Sequence, residues 1–170
     1  VAEYFHTKKQ GGDALLAVHK AIDEVVVFHK QIIDELFGKN ATNVHEQFSH
    51  LLDELVGFVH WNKSLNRSFI YDQIVGYGEL LSTKILSAYL TANGIENTWV
   101  DVRTLIKTDA SYRDATIDWQ LTSQNVAALN AHKGLVVTQC FLGSDPNNFT
   151  TTLGREGSDY TAAILAYGLD

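Results

Sequence analysis

Two segments in the N-terminal part of the chain carry apolar side chains at the three-to-four-residue spacing of amphipathic helices. Residues 13–37 place their apolar positions on one face, and residues 43–61 repeat the pattern. Asp13 is the predicted N-cap of the first helix, and Gly38 is its predicted C-terminal signal. Because residues 38–41 form only a short joint, we expect the two helices to fold back as an antiparallel hairpin.

The rest of the chain changes from a helical pattern to alternating strands and helices. Helical character covers residues 66–93, where the glycine-containing segment 76–82 predicts an interruption. A strand is predicted at residues 97–102 and a helix at residues 120–131, and residues 134–143 begin as a buried strand and end in a turn. Strands that alternate with helices predict an α/β fold with a parallel-rich sheet and functional sites at the carboxyl ends of its strands.

The stretch with the most chemistry is T-T-T-L-G-R-E-G-S-D-Y at residues 150–160. Apolar residues at helical spacing follow it, so Ser158 and Asp159 are predicted as N-cap residues of a last helix. The free amides of a helix N-terminus attract anions. Arg155 stands just before them, and its guanidinium fork suits a carboxylate or a phosphate. This stretch therefore predicts an anion-binding site.

Composition narrows the class of protein. A length of 170 residues fits one domain, and 45% apolar with 19% charged residues is typical of a globular protein. The formal net charge of −7 with scattered basic residues argues against nucleic-acid and anionic-membrane partners. No apolar run reaches the roughly 20 residues of a membrane span, and no signal-peptide pattern opens the chain, so we expect a cytoplasmic protein. Because the sequence starts at Val1 and has no Met, we expect it to be part of a longer protein.

The histidines and the single cysteine do not predict a metal site. His45 and His50 lie five positions apart, which places their imidazoles about 140° apart around a helix. Cys140 is the one cysteine, which excludes an internal disulfide and a cysteine-based zinc site. No histidine or cation stands near Cys140 in the sequence, so a small core thiol is the preferred interpretation over a nucleophile.

Residues 150–160 resemble the T-T-L-G-R-G-G-S-D-Y signature of aspartokinases, in the amino acid kinase family, with Glu156 in place of one glycine. Residues 72–82 resemble the D-x-I-V-x-x-G-E-x-x-S element of that family. Residues 137–143 resemble its V-T-Q-G-F-I-G element, with Cys140 in place of glycine. The similarity is specific from about position 72 to position 169 and looser before it.

The resemblance implies a fold and an activity. The fold is a partial three-layer sandwich of the amino acid kinase type, with residues 1–67 as a helical insert and residues 68–170 as the α/β substrate-binding part. The activity is aspartate kinase: the γ-phosphoryl group of ATP moves to the β-carboxylate of L-aspartate, the first step of lysine, threonine and methionine biosynthesis. Mg²⁺ accompanies the ATP, and the full-length enzyme is expected to be a homo-oligomer.

The resemblance also assigns site residues. Arg155 and Ser158 would bind the α-carboxylate of the substrate, and Glu79 would bind its ammonium group. Asp159 would be the catalytic residue, organising the site near the reacting end. The implied substrate-binding set comprises Glu79, Arg155, Glu156, Gly157, Ser158 and Asp159. The carboxylate of Glu79 opposite an anion-binding site would suit an amino acid, which carries both an ammonium and a carboxylate group. The alternative interpretation is that Glu79 is only an acidic residue in the first turn of a helix, where the helix dipole favours it.

Two elements typical of aspartokinases do not occur in these 170 residues. They are the K-F-G-G-T-S glycine loop, whose lysine meets the transferring phosphoryl group, and the W-T-D-V-D-G-type element that binds nucleotide. We therefore expect the chain to turn over little or nothing alone. Two alternatives stay open: another amino acid kinase, such as one acting on glutamate, and a non-catalytic helical interaction module that uses the apolar face of residues 13–37.

Overall fold

The computed structural model describes residues 14–169, and the predicted N-cap Asp13 lies outside them. Helix α1, Ala14–Phe37, joins helix α2, Ala41–Trp61, through a single 3-10 turn, Gly38–Asn40. Gly38 has a φ of 51°, a left-handed conformation in which glycine is favoured. The apolar faces of both helices pack against each other, which confirms the predicted hairpin.

Helix α3, Arg67–Ala92, is a 26-residue helix that packs against both helices of the hairpin and against three of the strands. The side chain of Asn66 caps its start by accepting from the backbone amides of Ser68 and Phe69. The predicted interruption at residues 76–82 is wrong, because the helix continues through both glycines. A Cβ at position 76 would lie 3.2 Å from Cγ2 of Thr150, so Gly76 allows close packing and does not break the helix.

The C-terminal part contains two small sheets and three helices. Strands β1, Asn97–Val100, and β2, Leu135–Thr138, are parallel, which confirms the predicted parallel sheet. Strands β3, Leu142–Ser144, and β4, Thr150–Thr152, form an antiparallel hairpin that the sequence pattern did not predict. The remaining elements are helices α4, Val102–Leu105, α5, Trp119–Ala127, and α6, Gly157–Leu169, with a 3-10 turn at Ala128–Ala131.

Local polar residues explain where several elements stop. The strand predicted at residues 97–102 ends at Val100, because the side chain of Asp101 accepts from the amide of Arg103 and caps helix α4. The predicted turn after β3 is present at Pro146 and Asn147. Asp145 stabilises it by accepting from the amides of Asn147 and Phe149.

One hydrophobic core runs through the described residues, from Val18 on α1 to Ile164 on α6. Helix α3 lies between the hairpin and the sheets and contributes the buried Ile70 and Leu80 to this core. The mixed α/β class predicted from the sequence is therefore confirmed. Its arrangement places strands β2 and β4 beside α3.

Candidate functional site

The segment between β4 and α6, residues 153–157, is called here the arginine loop. Gly154 has a φ of 75°, and a Cβ at this position would lie 2.5 Å from Oδ1 of Asp114. Any other residue would be strained by the positive φ and would require the carboxylate of Asp114 to move. Arg155 follows it and is exposed.

The start of α6 differs from the sequence prediction by two residues. The helix begins at Gly157, so Ser158 and Asp159 lie in its first turn and are not its N-cap. The residue before the helix is Glu156, whose carbonyl accepts from the amide of Tyr160. Ser158 and Asp159 are both exposed at this N-terminus. A helix N-terminus still follows Arg155 and Glu156 directly in the chain, so the predicted anion-binding character is unchanged.

Two side chains of α3 bind the free edge of strand β4. Gln73 accepts from the amide of Thr150 at 3.0 Å and donates to its carbonyl at 2.7 Å. Asp72 accepts from the amide of Thr152 at 2.9 Å and from its hydroxyl at 2.9 Å. The helix thus supplies the hydrogen bonds that a neighbouring strand would otherwise supply.

Glu79 lies about two turns further along the same helix. It is in the helix interior, so the alternative of a first-turn acid is wrong. Its carbonyl accepts from the hydroxyl of Thr83 at 2.7 Å. That hydroxyl oxygen in turn accepts from the amide nitrogen of Gln139 at 2.9 Å. This chain of hydrogen bonds attaches the turn that carries Glu79 to the carboxyl end of β2.

The residues after β2 lie between α3 and α6. The amide of Phe141 donates to the hydroxyl of Thr161 at 2.8 Å, and its carbonyl accepts from the amide of Leu153 at 3.0 Å. A Cβ at position 157 would lie 2.8 Å from Cδ2 of Phe141, so Gly157 allows the ring to pack on the start of α6. These contacts join the end of β2 to both ends of the arginine loop.

The thiol of Cys140 is affected by the charges of two predicted site residues. Burial raises the pKa of this thiol, and the negative charges of Glu79 and Asp159 raise it further. Both carboxylates therefore lie near one thiol, although their positions in the sequence are 80 residues apart. The raised pKa disfavours a nucleophilic thiolate, in agreement with the preferred interpretation of Cys140.

Backbone strain concentrates around the arginine loop. Arg113, Phe141 and Glu156 have φ values of 75°, 69° and 59°, and none of them is glycine. Arg113 contacts the loop directly, because its carbonyl would lie 3.3 Å from a Cβ on Gly154. Strained conformations of this kind persist where the surrounding structure fixes them, and they cluster at functional sites.

The structure brings Arg155, Glu156, Gly157, Ser158 and Asp159 together in one loop and helix start, and the charges of Asp159 and Glu79 both raise the pKa of the Cys140 thiol. Sequence reasoning missed the supporting residues Gln73, Arg113, Gln139 and Thr161. One sequence signal pointed towards such support: Asp72 and Gln73 lie between the apolar residues 69–70 and 74–75 of a helix, and polar side chains there require partners if they are buried.

Two further features were searched for within residues 14–169. This part of the chain contains no group of three histidine, cysteine or acidic side chains that could hold a metal ion. His45 pairs with Asp34 at 2.7 Å, and His50 pairs with Glu54 at 3.3 Å. None of the helices described for this chain is long and apolar enough to cross a membrane.

The chain is similar to a known protein family and to several known proteins. The model of the amino acid kinase family matches residues 13–170. Lysine-sensitive aspartokinase 3 of Escherichia coli is 35% identical over 130 residues, which are 74% of this chain and 29% of that protein. A chloroplastic bifunctional aspartokinase/homoserine dehydrogenase of Arabidopsis thaliana is 34% identical over 99 residues, which are 56% of this chain and 11% of that protein.

Solved structures give the same result. E. coli aspartokinase III in complex with aspartate and ADP superimposes with a TM-score of 0.79 at 29% identity, over 90% of this chain and 34% of that one. The same enzyme in complex with lysine and aspartate gives a TM-score of 0.78 at 30% identity, over 94% of this chain and 35% of that one. The chain thus spans less than a third of the length of the curated relatives named above.

Proposed function

The chain belongs to the amino acid kinase family, and on that premise we propose that it is the substrate-binding part of an aspartate kinase. The observation that carries this proposal is the convergence of the arginine loop, the first turn of α6 and two carboxylates around Cys140. A cation beside free amides suits a carboxylate, and a nearby carboxylate suits an ammonium group. The two together suit a free amino acid.

We propose a role for each polar group. Arg155 and Ser158, with the first-turn amides of α6, bind the α-carboxylate of L-aspartate, and Glu79 binds its ammonium group. Glu156 and Gly157 shape the loop that presents these amides. Asp159 orients the reacting end of the substrate. The bound aspartate in the similar E. coli aspartokinase III supports this choice of substrate.

The proposed reaction moves the γ-phosphoryl group of ATP to the β-carboxylate of aspartate. Such a transfer requires positioning and charge neutralisation more than covalent participation by the protein. The ADP bound to E. coli aspartokinase III supports ATP as the donor. Mg²⁺ would arrive with ATP and neutralise phosphate charge; phosphate oxygens and water would be its main ligands, because residues 14–169 offer no cluster of acidic ligands.

The wider setting is proposed on the same basis. We propose a cytoplasmic enzyme of lysine, threonine and methionine biosynthesis that is a homo-oligomer at full length. We also propose that the 170-residue chain binds aspartate but turns over little or none of it alone. Formation of aspartyl phosphate by this chain with ATP and Mg²⁺ would contradict the second statement.

Calorimetry with L-aspartate tests the binding site. We expect the native chain to bind, and Arg155→Ala and Glu79→Gln to weaken binding by about tenfold or more, since each loses a charge-assisted contact. Lys133→Ala is the matched control, because Lys133 is an exposed cation just before β2, at the opposite end of that strand from Cys140. Equal affinity of all four chains would contradict the proposal.

The same experiment separates the alternatives. Tighter binding of L-glutamate than of L-aspartate would favour another amino acid kinase. Concentration-dependent association with no amino-acid binding would favour a helical interaction module. Because the apolar face of α1 packs against α2, the exposed residues Leu16, Val27 and Phe28 of α1 would supply its surface instead.

A further inference from the structure

Asp72 is a buried carboxylate to which the proposed substrate contacts assign no role. Its side chain is 0% exposed. One oxygen, Oδ2, accepts from the amides of Thr152 and Arg113, both at 2.9 Å, and Oδ1 accepts from the hydroxyl of Thr152 at 2.9 Å. Burial of a carboxylate is unfavourable unless donors surround it, so this residue requires all three contacts.

The three donors come from the two segments that flank Gly154. Thr152 precedes the arginine loop directly in the chain. Arg113 lies against the other side of the loop, with its carbonyl 3.3 Å from the position of a Cβ on Gly154. The amide of Arg113 points to Asp72 while its φ is 75°, so the carboxylate stabilises a conformation that is unfavourable for arginine.

Helix α3 therefore binds, through Asp72, the residue that precedes the arginine loop and the segment beside the loop, and it carries Glu79 at another point. Gln73, next to Asp72, adds two hydrogen bonds to Thr150 and fixes the register of β4 on the helix. The distance from Asp72 to Glu79 is then set by about two turns of a rigid helix. A displacement of Thr152 or of Arg113, the residues next to the loop, relative to Glu79 would break these buried hydrogen bonds.

We propose that Asp72 is a positioning residue that fixes the arginine loop relative to Glu79, so that Arg155 and Glu79 match the carboxylate and ammonium groups of one amino acid. This inference rests on the proposed function for the identity of the ligand. The positioning itself rests on the hydrogen bonds of Asp72 alone. Pre-organised groups bind more tightly than mobile ones, because less conformational freedom is lost on binding.

The role depends on geometry and not on charge. In Asp72→Asn the amide oxygen can accept from both backbone amides, and the amide nitrogen can donate to the hydroxyl oxygen of Thr152. In Asp72→Ala all three donors lose their acceptor. We therefore expect Asp72→Asn to keep the aspartate affinity within about twofold and Asp72→Ala to weaken it by about tenfold or more.

Asp145→Ala is the matched control. Asp145 is equally buried and also accepts three hydrogen bonds, from the amides of Asn147 and Phe149 and from the hydroxyl of Tyr112. It lies at the turn of the β3–β4 hairpin, which is at the opposite end of β4 from the arginine loop. We expect this variant to lose stability while it keeps the native affinity for aspartate. Native affinity in a folded Asp72→Ala chain would overturn the inference.

Amide hydrogen exchange distinguishes this inference from the proposed function. We expect faster exchange at residues 153–159 in Asp72→Ala; in Asp145→Ala we expect faster exchange near residues 145–149 and Tyr112 but not at residues 153–159. A native chain that binds no aspartate but shows this exchange pattern would overturn the proposed function and keep the positioning role. Unchanged exchange at residues 153–159 would overturn the positioning role whichever amino acid binds.

A second pair of variants applies if Asp72→Ala does not fold. Thr152→Val removes one donor to Asp72, and Thr151→Val removes an equally buried hydroxyl that pairs with Thr108 at 2.7 Å. We expect Thr152→Val to bind aspartate about threefold more weakly than Thr151→Val and to exchange faster at residues 153–159. Equal affinity and equal exchange in the two variants would overturn the inference.

Discussion

At the scale of single residues, Glu156 is the most informative departure from the aspartokinase signature. The signature has glycine here, and in this chain Glu156 has a φ of 59° and precedes the first residue of α6. The left-handed conformation costs a residue with a Cβ about 1–2 kcal/mol. The substitution therefore keeps the conformation of the loop and lowers its stability.

Glu156→Gly should raise the free energy of unfolding by about 1 kcal/mol, because relief of the strain exceeds the added entropy of the unfolded chain. Urea denaturation followed by circular dichroism measures this change. Glu156→Ala is the control, since it removes the carboxylate and keeps the Cβ. A gain of equal size in both variants would show that the charge, and not the backbone conformation, was responsible.

Sequence reasoning identified the residues of the arginine loop but not their positions relative to the helix. Ser158 and Asp159 are favourable both as N-caps and in a first turn, because both places offer free amides. A motif therefore cannot decide between them, and helix boundaries differ by one or two residues in any case. The residue that does precede the helix, Glu156, has no N-cap preference and gave no signal.

At the scale of elements, the sequence predicted the α1–α2 hairpin because its apolar spacing is a local property. Helix α3 was predicted with an interruption because a glycine gives the same local signal whether it breaks a helix or allows close packing. The role of Gly76 depends on residues distant in the sequence, because it packs against Thr150 and Leu142. Strands β3 and β4 were not predicted, because three residues are too few to show a strand pattern. The free edge of β4 also pairs with side chains of α3, which are distant in the sequence.

Substitution of the two glycines of α3 separates packing from helix propensity. A Cβ on Gly76 would lie 3.3 Å from both methyl groups of Leu142, while a Cβ on Gly78 would meet nothing within 4 Å. Gly76→Val should therefore lower the free energy of unfolding by about 1–3 kcal/mol through overpacking. Gly78→Val should change it by less than about 0.5 kcal/mol. Thermal denaturation of both variants measures the contrast, and equal losses would refute the packing explanation.

At the scale of the whole molecule, the described residues share one core. The sequence divides the chain into a helical insert, residues 1–67, and an α/β part, residues 68–170, and this division stays a prediction. The hydrophobic cluster crosses the proposed boundary, because Phe48 and Leu55 of α2 belong to the same cluster as Leu80, Leu142 and Ile164. A shared core implies that the hairpin and the α/β part unfold together.

Phe48→Ala tests this coupling, because Phe48 is 2% exposed and its ring lies 5.3 Å from that of His29 within the hairpin. The loss of a buried phenylalanine should cost about 3–5 kcal/mol. Trp61 on α2 and Trp99 on β1 report the two parts separately by fluorescence, once the other tryptophans are replaced by phenylalanine. We expect both probes to show one transition, shifted to lower urea by the same amount in Phe48→Ala. A hairpin that unfolds first, with Trp99 unaffected, would mean that α3 keeps Glu79 and Asp72 in place without help from the hairpin.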